Sequence, residues 1–170
     1  FIRKVVDFVK ENKAKPFIGE SNTLYSGRRQ MGITHLELAY EHGFSYSVVN
    51  APVVILDGIK SNHRTVIIVS LKHFNTISLA GDLKDIDGMI VVSHFKGHLS
   101  VGLGGAIKNL SMGLGTRKQK QLMHSDVQPV INQQKCIHCY KCVDVCPVSC
   151  ISFQDELFNV DLQRCLGCAE

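Results

Sequence analysis

All seven cysteines of this 170-residue chain lie at or beyond position 136. A secreted disulfide scaffold spreads its bridges through the fold, so this clustering points to metal instead. The run Cys136-Ile-His-Cys139-Tyr-Lys-Cys142-Val-Asp-Val-Cys146-Pro147 has the spacing Cys-x2-Cys-x2-Cys-x3-Cys-Pro. A tight loop followed by a helical turn at that spacing converges three thiolates on one four-iron cubane, while the fourth cysteine serves another. Pro147 stops the helix and sets the chain off toward the next strand. Cys165-Leu-Gly-Cys168 then opens a second motif, whose remaining cysteines are expected just past residue 170. The sequence therefore predicts two [4Fe-4S] clusters, one on Cys136, Cys139 and Cys142, the other on Cys146, Cys165 and Cys168, each one ligand short. Paired Cys-x-x-Cys units also bind zinc, but a zinc ribbon needs four ligands per site and no Cys-x3-Cys-Pro. Cys150 falls outside the pattern and is expected to be buried packing, and His138 is expected at the surface.

A second concentration of chemistry spans residues 91 to 115, where His94, Lys96, Gly97 and His98 precede Gly102, Gly104, Gly105, Lys108 and Asn109. It follows an apolar run and precedes a helical one, the place where open α/β sheets put their ligands. Glycines there let the backbone approach a ligand closely, and free amides at the helix start favour an anion. Lys96 and Lys108 add positive charge, and His94 and His98 are of a type that ligates metal, moves protons or braces a turn. We take His94, His98 and Lys108 as candidate catalytic residues, and Lys96, Gly102, Gly104, Gly105 and Asn109 as candidate binding residues. The glycine pattern is neither the Walker loop nor a full dinucleotide fingerprint. Fainter candidates are the polar loop carrying Ser21, Asn22, Thr23, Tyr25, Arg28 and Arg29, which could face the same cleft, and Asp57-Gly58, which reads equally as a turn. Arg117, Lys118 and Lys120 read as a solvated face in preference to a docking patch.

The elements that must position these residues follow from periodicity. Ile2, Val5, Val6, Phe8 and Val9 predict an amphipathic helix ended by Pro16, and Ile33 to Glu41 a second helix ending near Gly43. Tyr46 to Val49, Val53 to Leu56 and Arg64 to Leu71 are apolar and β-branched and predict strands. Leu79 to Ile86 is ambiguous, and Met89 to Ser93 predicts a buried strand. Ala106 to Leu114 predicts a helix, and Thr116 to Ser125, polar and basic, a linker. Ile151 to Phe153 and Leu157 to Val160 predict a hairpin over the cysteines. The resulting fold class is α/β, a parallel or mixed sheet with flanking helices, followed by a small α+β iron–sulfur unit; we place the first domain at 1–125 and the second at 129–170.

Composition narrows the partners. The 45% hydrophobic content is enough for a packed core. A net charge of +4 without any basic block gives no reason to expect nucleic acid, and bound clusters would bring that charge nearer to zero. No apolar run approaches the roughly 20 residues that cross a bilayer, so we expect a soluble, cytoplasmic protein. Phe1 is not a methionine and the chain opens inside a helix, so its start reads as lost along with its end.

Asn22-Thr-Leu-Tyr25-Ser-Gly27-Arg28, the segment Phe44 to Gly58, and above all Ser93-His-Phe-Lys-Gly-His98 with Gly104-Gly-Ala-Ile-Lys-Asn109 resemble a family called domain of unknown function 362. The likeness covers about residues 1 to 125, and the cysteine segment from about 129 resembles the bacterial-type ferredoxin domain that often follows that family. The resemblance implies an architecture and no reaction. His98 to Lys108 also looks like a turn of lactate racemases, but the glycine spacing differs by one residue and Ile107 stands where those have arginine. On this reading the protein is an oxidoreductase or electron-transfer protein relaying electrons through the clusters to a site near His94–Lys108. It would exchange electrons with a donor or acceptor protein and take a small anionic substrate. The alternative is a non-redox enzyme, isomerase- or lyase-like, with structural or sensing clusters.

Overall fold

Ile2, Val5, Val6 and Val9 line one face of helix α1 (Ile2–Glu11), and Val6 is buried. The chain leaves the helix through Lys13 in the left-handed region and Pro16, then enters strand β1 (Ile18–Glu20). The computed structural model describes residues 1–98, 101–124, 128–146, 148–165 and 167. Over these the protein is mixed α/β, with several helices and small two-stranded sheets.

β1 pairs in parallel with β2 (Val53–Ile55), Ile18 opposite Val53. A parallel pair needs a long crossover, and here it contains a 3-10 turn at Arg28–Gln30, helix α2 (Gly32–Glu41) and the short helix α3 (Tyr46–Val49). α2 ends as expected, with Gly43 at φ +85°. α3 corrects the strand expected at Tyr46 to Val49. Ser45 begins it in extended conformation and Asn50 closes it in the left-handed region, so a single turn forms despite two valines. Strand propensity is a weak preference that tertiary context overrides.

Strand β3 (Arg64–Ile68) pairs antiparallel with β4 (Thr76–Ala80), and a 3-10 turn at Gly81–Asp85 follows. The ambiguous 79–86 stretch is thus the end of a strand followed by a 3-10 turn. Met89 to Ser93, expected as a buried strand, makes no strand pairing among the described residues. Strands β5 (Lys96–His98) and β6 (Gly102–Gly104) form a small antiparallel pair leading into helix α4 (Ala106–Leu114), whose bounds match the expectation. The parallel or mixed sheet of the sequence reading is, among the described residues, a set of separate two-stranded pairs, of which β1–β2 is parallel.

Thr116 to Ser125 is not a linker. Arg117–His124 is helix α5, and Thr116, Gln119 and Lys120 are buried; Ser125 lies outside the described residues. Beyond it, a 3-10 turn at Gln133–Lys135, capped by the Asn132 side chain, precedes helix α6 (Lys141–Asp144). The hairpin of β7 (Ile151–Gln154) and β8 (Leu157–Val160) forms where expected. Its turn residues Asp155 and Glu156 have φ of +50° and +63°, the conformation that suits the twist of a two-residue hairpin. Phe153, Phe158, Tyr140 and His138 pack ring to ring over this hairpin. The apolar core elsewhere gathers Val6, Leu24, Val49, Ala51, Leu56 and Ala80. No helix among the described residues is long and apolar enough to cross a membrane.

Candidate functional site

β1 delivers the chain into a loop whose first residues, Ser21 and Asn22, are almost fully buried, as is Asp57 just after β2. Burying polar groups is tolerable only when they pair, and all but Asn22 Oδ1 among these do. Asp57 Oδ1 accepts from the Asn22 backbone N–H and from Asn22 Nδ2, both at 2.9 Å, and Ser61 Oγ donates to Asp57 Oδ2. Asn22 Nδ2 also donates to the Gly58 carbonyl at 2.7 Å. α5 supplies the cation: Lys120 Nζ donates to Ser21 Oγ at 2.7 Å and to the Asn22 carbonyl, and Ser21 Oγ in turn donates to the Gly113 carbonyl at 2.6 Å. Burial lowers the Lys120 pKa to about 8, against the opposing pull of the Asp57 and Glu20 carboxylates. Glu20 itself is raised by burial, but the hydrogen bond with His35 and the charge of Arg29 outweigh this and hold it below the ordinary carboxylate value. Asn22 Oδ1 and His35 Nδ1 stay buried without a partner.

This knot was missed at the sequence level. Lys120 is 6% exposed, which overturns its reading as part of a solvated face. Asp57 is a structural acceptor, not a bare turn residue. The composition of the run Arg117 to Lys120 carried no sign of this, because the partners come from the other end of the chain.

The glycine turn assembles part of the expected set. Lys108 Nζ, on the first turns of α4, hydrogen-bonds His98 Nε2 at the end of β5. Burial and the nearby charge of Lys96 lower the Lys108 pKa. Lys96 faces Gly104 across the β5–β6 pair. Of the three glycines, Gly102 is required by its backbone, at φ +76°, whereas a Cβ at Gly104 or Gly105 would meet ordinary contacts at 3.7 and 3.8 Å. Gly105 stands before α4 with no side-chain cap, so the helix presents its first-turn amides. Asn109 acts on the scaffold: its Nδ2 donates to the Val92 carbonyl at 3.1 Å and Ser93 Oγ at 3.0 Å, tying α4 to the preceding segment. His94 is exposed, and the hydrogen bond to Lys108 is made by His98 instead.

One more histidine belongs here. Burial, and after it the charges of Lys108 and His98, lower the pKa of His124, the last residue of α5. The His124 ring meets Tyr25, of the polar loop, edge-on at 6.4 Å between centroids. Nothing in the local sequence marked His124.

Cys136, Cys139, Cys142, Cys146, Cys150 and Cys165 are all free thiols, and Cys168 lies outside the described residues. His138 and Tyr140 take positive φ (53° and 60°), bending the chain between the first three cysteines. Cys146 Sγ accepts the Cys150 backbone N–H at 3.3 Å. Burial works to raise its pKa, but this amide and those of Val148 and Ile151 prevail and lower it. Cys150 is buried, as expected, with its Sγ 3.4 Å from that of Cys146. Among the described residues no three Cys, His, Asp or Glu side chains converge on a point that could hold a metal ion. The donor set nevertheless suits iron–sulfur chemistry: soft thiols without disulfide partners, one of them receiving the amide hydrogen bonds that stabilise cluster thiolates.

A family model described as "Domain of unknown function (DUF362)" matches residues 1–161. The putative oxidoreductase UacF of Escherichia coli (strain K12) is 38% identical over 58 residues, covering 28% of this chain and 9% of UacF. The NADH-dependent phenylglyoxylate dehydrogenase subunit delta of Aromatoleum evansii is 36% identical over 42 residues, 25% of this chain and 45% of that subunit. Pyruvate synthase subunit PorD of Methanothermobacter marburgensis is 36% identical over 53 residues, 31% of this chain and 62% of PorD. The chain spans less than two thirds of each of these relatives. No solved structure matches it.

Proposed function

Because the chain belongs to the DUF362 family, whose description supplies no reaction, we propose from its own residues that it is an iron–sulfur oxidoreductase or electron-transfer protein. Cys136, Cys139 and Cys142 would hold one [4Fe-4S] cluster and Cys146, Cys165 and Cys168 contribute to another, in a bacterial-type ferredoxin unit at 129–170. Clusters of this kind supply reversible one-electron storage. The observation that carries the reading is the cysteine spacing, joined by the amide hydrogen bonds aimed at Cys146 Sγ. The names of the relatives support a redox role, and two of them are named as subunits, which supports a protein partner that gives or takes electrons. We place the protein in the cytoplasm, where reduced thiols and clusters persist.

In the α/β part, Lys108 and His98 form the reacting pair. A small anionic substrate is held by Lys108, Lys96 and the first-turn amides of α4, with Gly102, Gly104 and Gly105 leaving room for it. The lowered pKa of Lys108 suits it to release a proton to, or take one from, a bound ligand, with His98 Nε2 as its hydrogen-bonded exchange partner. His94, which is exposed, is the third candidate catalytic residue. That acid–base pair also favours a second reading, an isomerase- or lyase-like enzyme whose clusters are structural or sensing.

Anaerobically prepared full-length protein should contain iron and acid-labile sulfide and show a broad visible band that bleaches reversibly on reduction. Stoichiometric zinc without sulfide refutes the iron–sulfur reading. Turnover that persists with the clusters locked in one oxidation state, and that Lys108→Ala abolishes without altering the visible spectrum, selects the second reading.

A further inference from the structure

We propose that the cavity of about 1120 Å³ bordered by α1, α2, β1, β2 and α4 is a second ligand site, apart from the His98–Lys108 pair, and that it takes a lipophilic alcohol, one long apolar chain ended by an uncharged hydroxyl that donates to His35 Nδ1. None of the described residues lining it is a cysteine, so the inference does not depend on the iron–sulfur reading.

The walls come from separate parts of the chain. Val5 and Leu38 line the cavity from α1 and α2, Ile18 and Ile55 from the β1–β2 pair, Met89 from the 86–92 segment and Leu110 from α4. That segment has the composition of a buried strand yet makes no strand pairing among the described residues, and Met89 and Leu110 keep 45% and 44% of their surface exposed. Apolar surface gathered on several sides of one space, and left uncovered by the chain, is what a lipophilic ligand covers. The volume slightly exceeds the roughly 300–1,000 Å³ of ordinary small-molecule sites, which suits a long chain better than a compact ring.

The polar end is set by Glu20, Arg29 and His35, which all line the same cavity. Glu20 Oε2 stands 3.1 Å from His35 Nε2, and a carboxylate oxygen there accepts, so the ring proton lies on Nε2 and Nδ1 carries a lone pair. Arg29 Nε, at 3.3 Å, approaches the same Nε2 and leaves Nδ1 unchanged. The His35 side chain is 4% exposed, and its Nδ1 has no partner among the described residues. A buried acceptor of this kind calls for a donor, which a hydroxyl supplies. Charge argues against an ionised head. Arg29 is ion-paired with Glu20, and the other fully charged lining residues, Lys13, Lys15, Asp85 and Asp87, balance one another. A carboxylate or ammonium entering the cavity would lose its water with no matching charge to receive it.

The test is isothermal titration calorimetry of the full-length protein with 1-octanol, 1-methoxyoctane and octanoate, molecules of one chain length that differ in the head. The alcohol should bind saturably at one site per chain, roughly tenfold more tightly than the ether, which lacks the donor, and octanoate should bind more weakly than the alcohol. His35→Phe should bind alcohol and ether alike. Leu110→Trp and Ala39→Phe add bulk from two walls of the cavity and should weaken the alcohol by at least as much, with folding checked by circular dichroism. Leu110 already has an exposed side chain, so its replacement keeps the test open if Ala39→Phe fails to fold. Absence of saturable alcohol binding, unchanged binding in Leu110→Trp, a preference for the alcohol that survives in His35→Phe, or octanoate bound as tightly as the alcohol each overturns the proposal.

Discussion

Replacing Lys120 by methionine removes a titrating ammonium from the interior and keeps most of its hydrocarbon volume. In the wild-type protein Nζ lies between Ser21 Oγ and the Asn22 carbonyl, and burial lowers its pKa from 10.5 to about 8. The unfolded chain holds that proton up to about 10.5, whereas the folded one releases it near 8. Between these values the unfolded state binds more protons, so the contribution of Lys120 to stability rises with pH. Below pH 8 both states are protonated and the full cost of burying charge is present; above 10.5 both are neutral. The gap is worth roughly 3 kcal/mol, or on the order of 10 °C in melting midpoint for a chain of this size. Melting followed by circular dichroism at a series of pH values, for wild type and Lys120→Met side by side, isolates this group because the other titrations cancel. The wild-type midpoint minus that of the variant should climb by about this amount between pH 7.5 and 10.5. A flat difference refutes the burial argument, and a falling one means that Asp57 and Glu20 outweigh desolvation.

Asp57→Ala strands the Asn22 N–H, Asn22 Nδ2 and Ser61 Oγ donors that converge on the carboxylate, and should cost roughly 3 kcal/mol in urea unfolding. Gly102→Ala forces a side chain onto φ +76° with nothing within 4 Å to clash, so its loss of about 1 kcal/mol is backbone strain alone; Gly97→Ala, opposite Leu103 in the same pair, should cost nothing measurable by the same assay. Cys150→Ala should retain the iron content of the wild type, because that thiol packs behind Cys146 outside the ligand pattern, whereas Cys146→Ala should lower it in a colorimetric iron assay.

What the sequence revealed and what it hid divide along the range of the interactions. Ala106–Leu114 is legible because its apolar residues repeat with a helical period and Gly105 and Gly115 flank it. The hairpin at Ile151–Val160 is legible because two short apolar runs enclose a polar pair. Both are local signals. Tyr46–Val49 misleads because two adjacent valines suggest a strand, while the decisive residue is Asn50, which closes the turn in the left-handed region. Met89 to Ser93 has the composition of a buried strand, but no neighbouring strand reaches it among the described residues. In the candidate site, the His98–Lys108 pair follows from residue types gathered around a glycine turn. Lys120 and His124 do not, since what makes them special is supplied by Ser21, Asn22 and Tyr25, remote from them in sequence.

The knot around Lys120 also orders events during synthesis. β1 and β2 can align once the helices between them have formed, but Ser21 and the Asn22 carbonyl receive the lysine only after residue 120 has left the ribosome. Contacts of such long range close late, because the intervening chain must first lose its freedom. Until then a polar pocket stands open beside a half-built core and invites water. A nascent chain arrested before α5 would accordingly be a ready substrate for proteases, and its susceptibility should drop abruptly as that helix emerges.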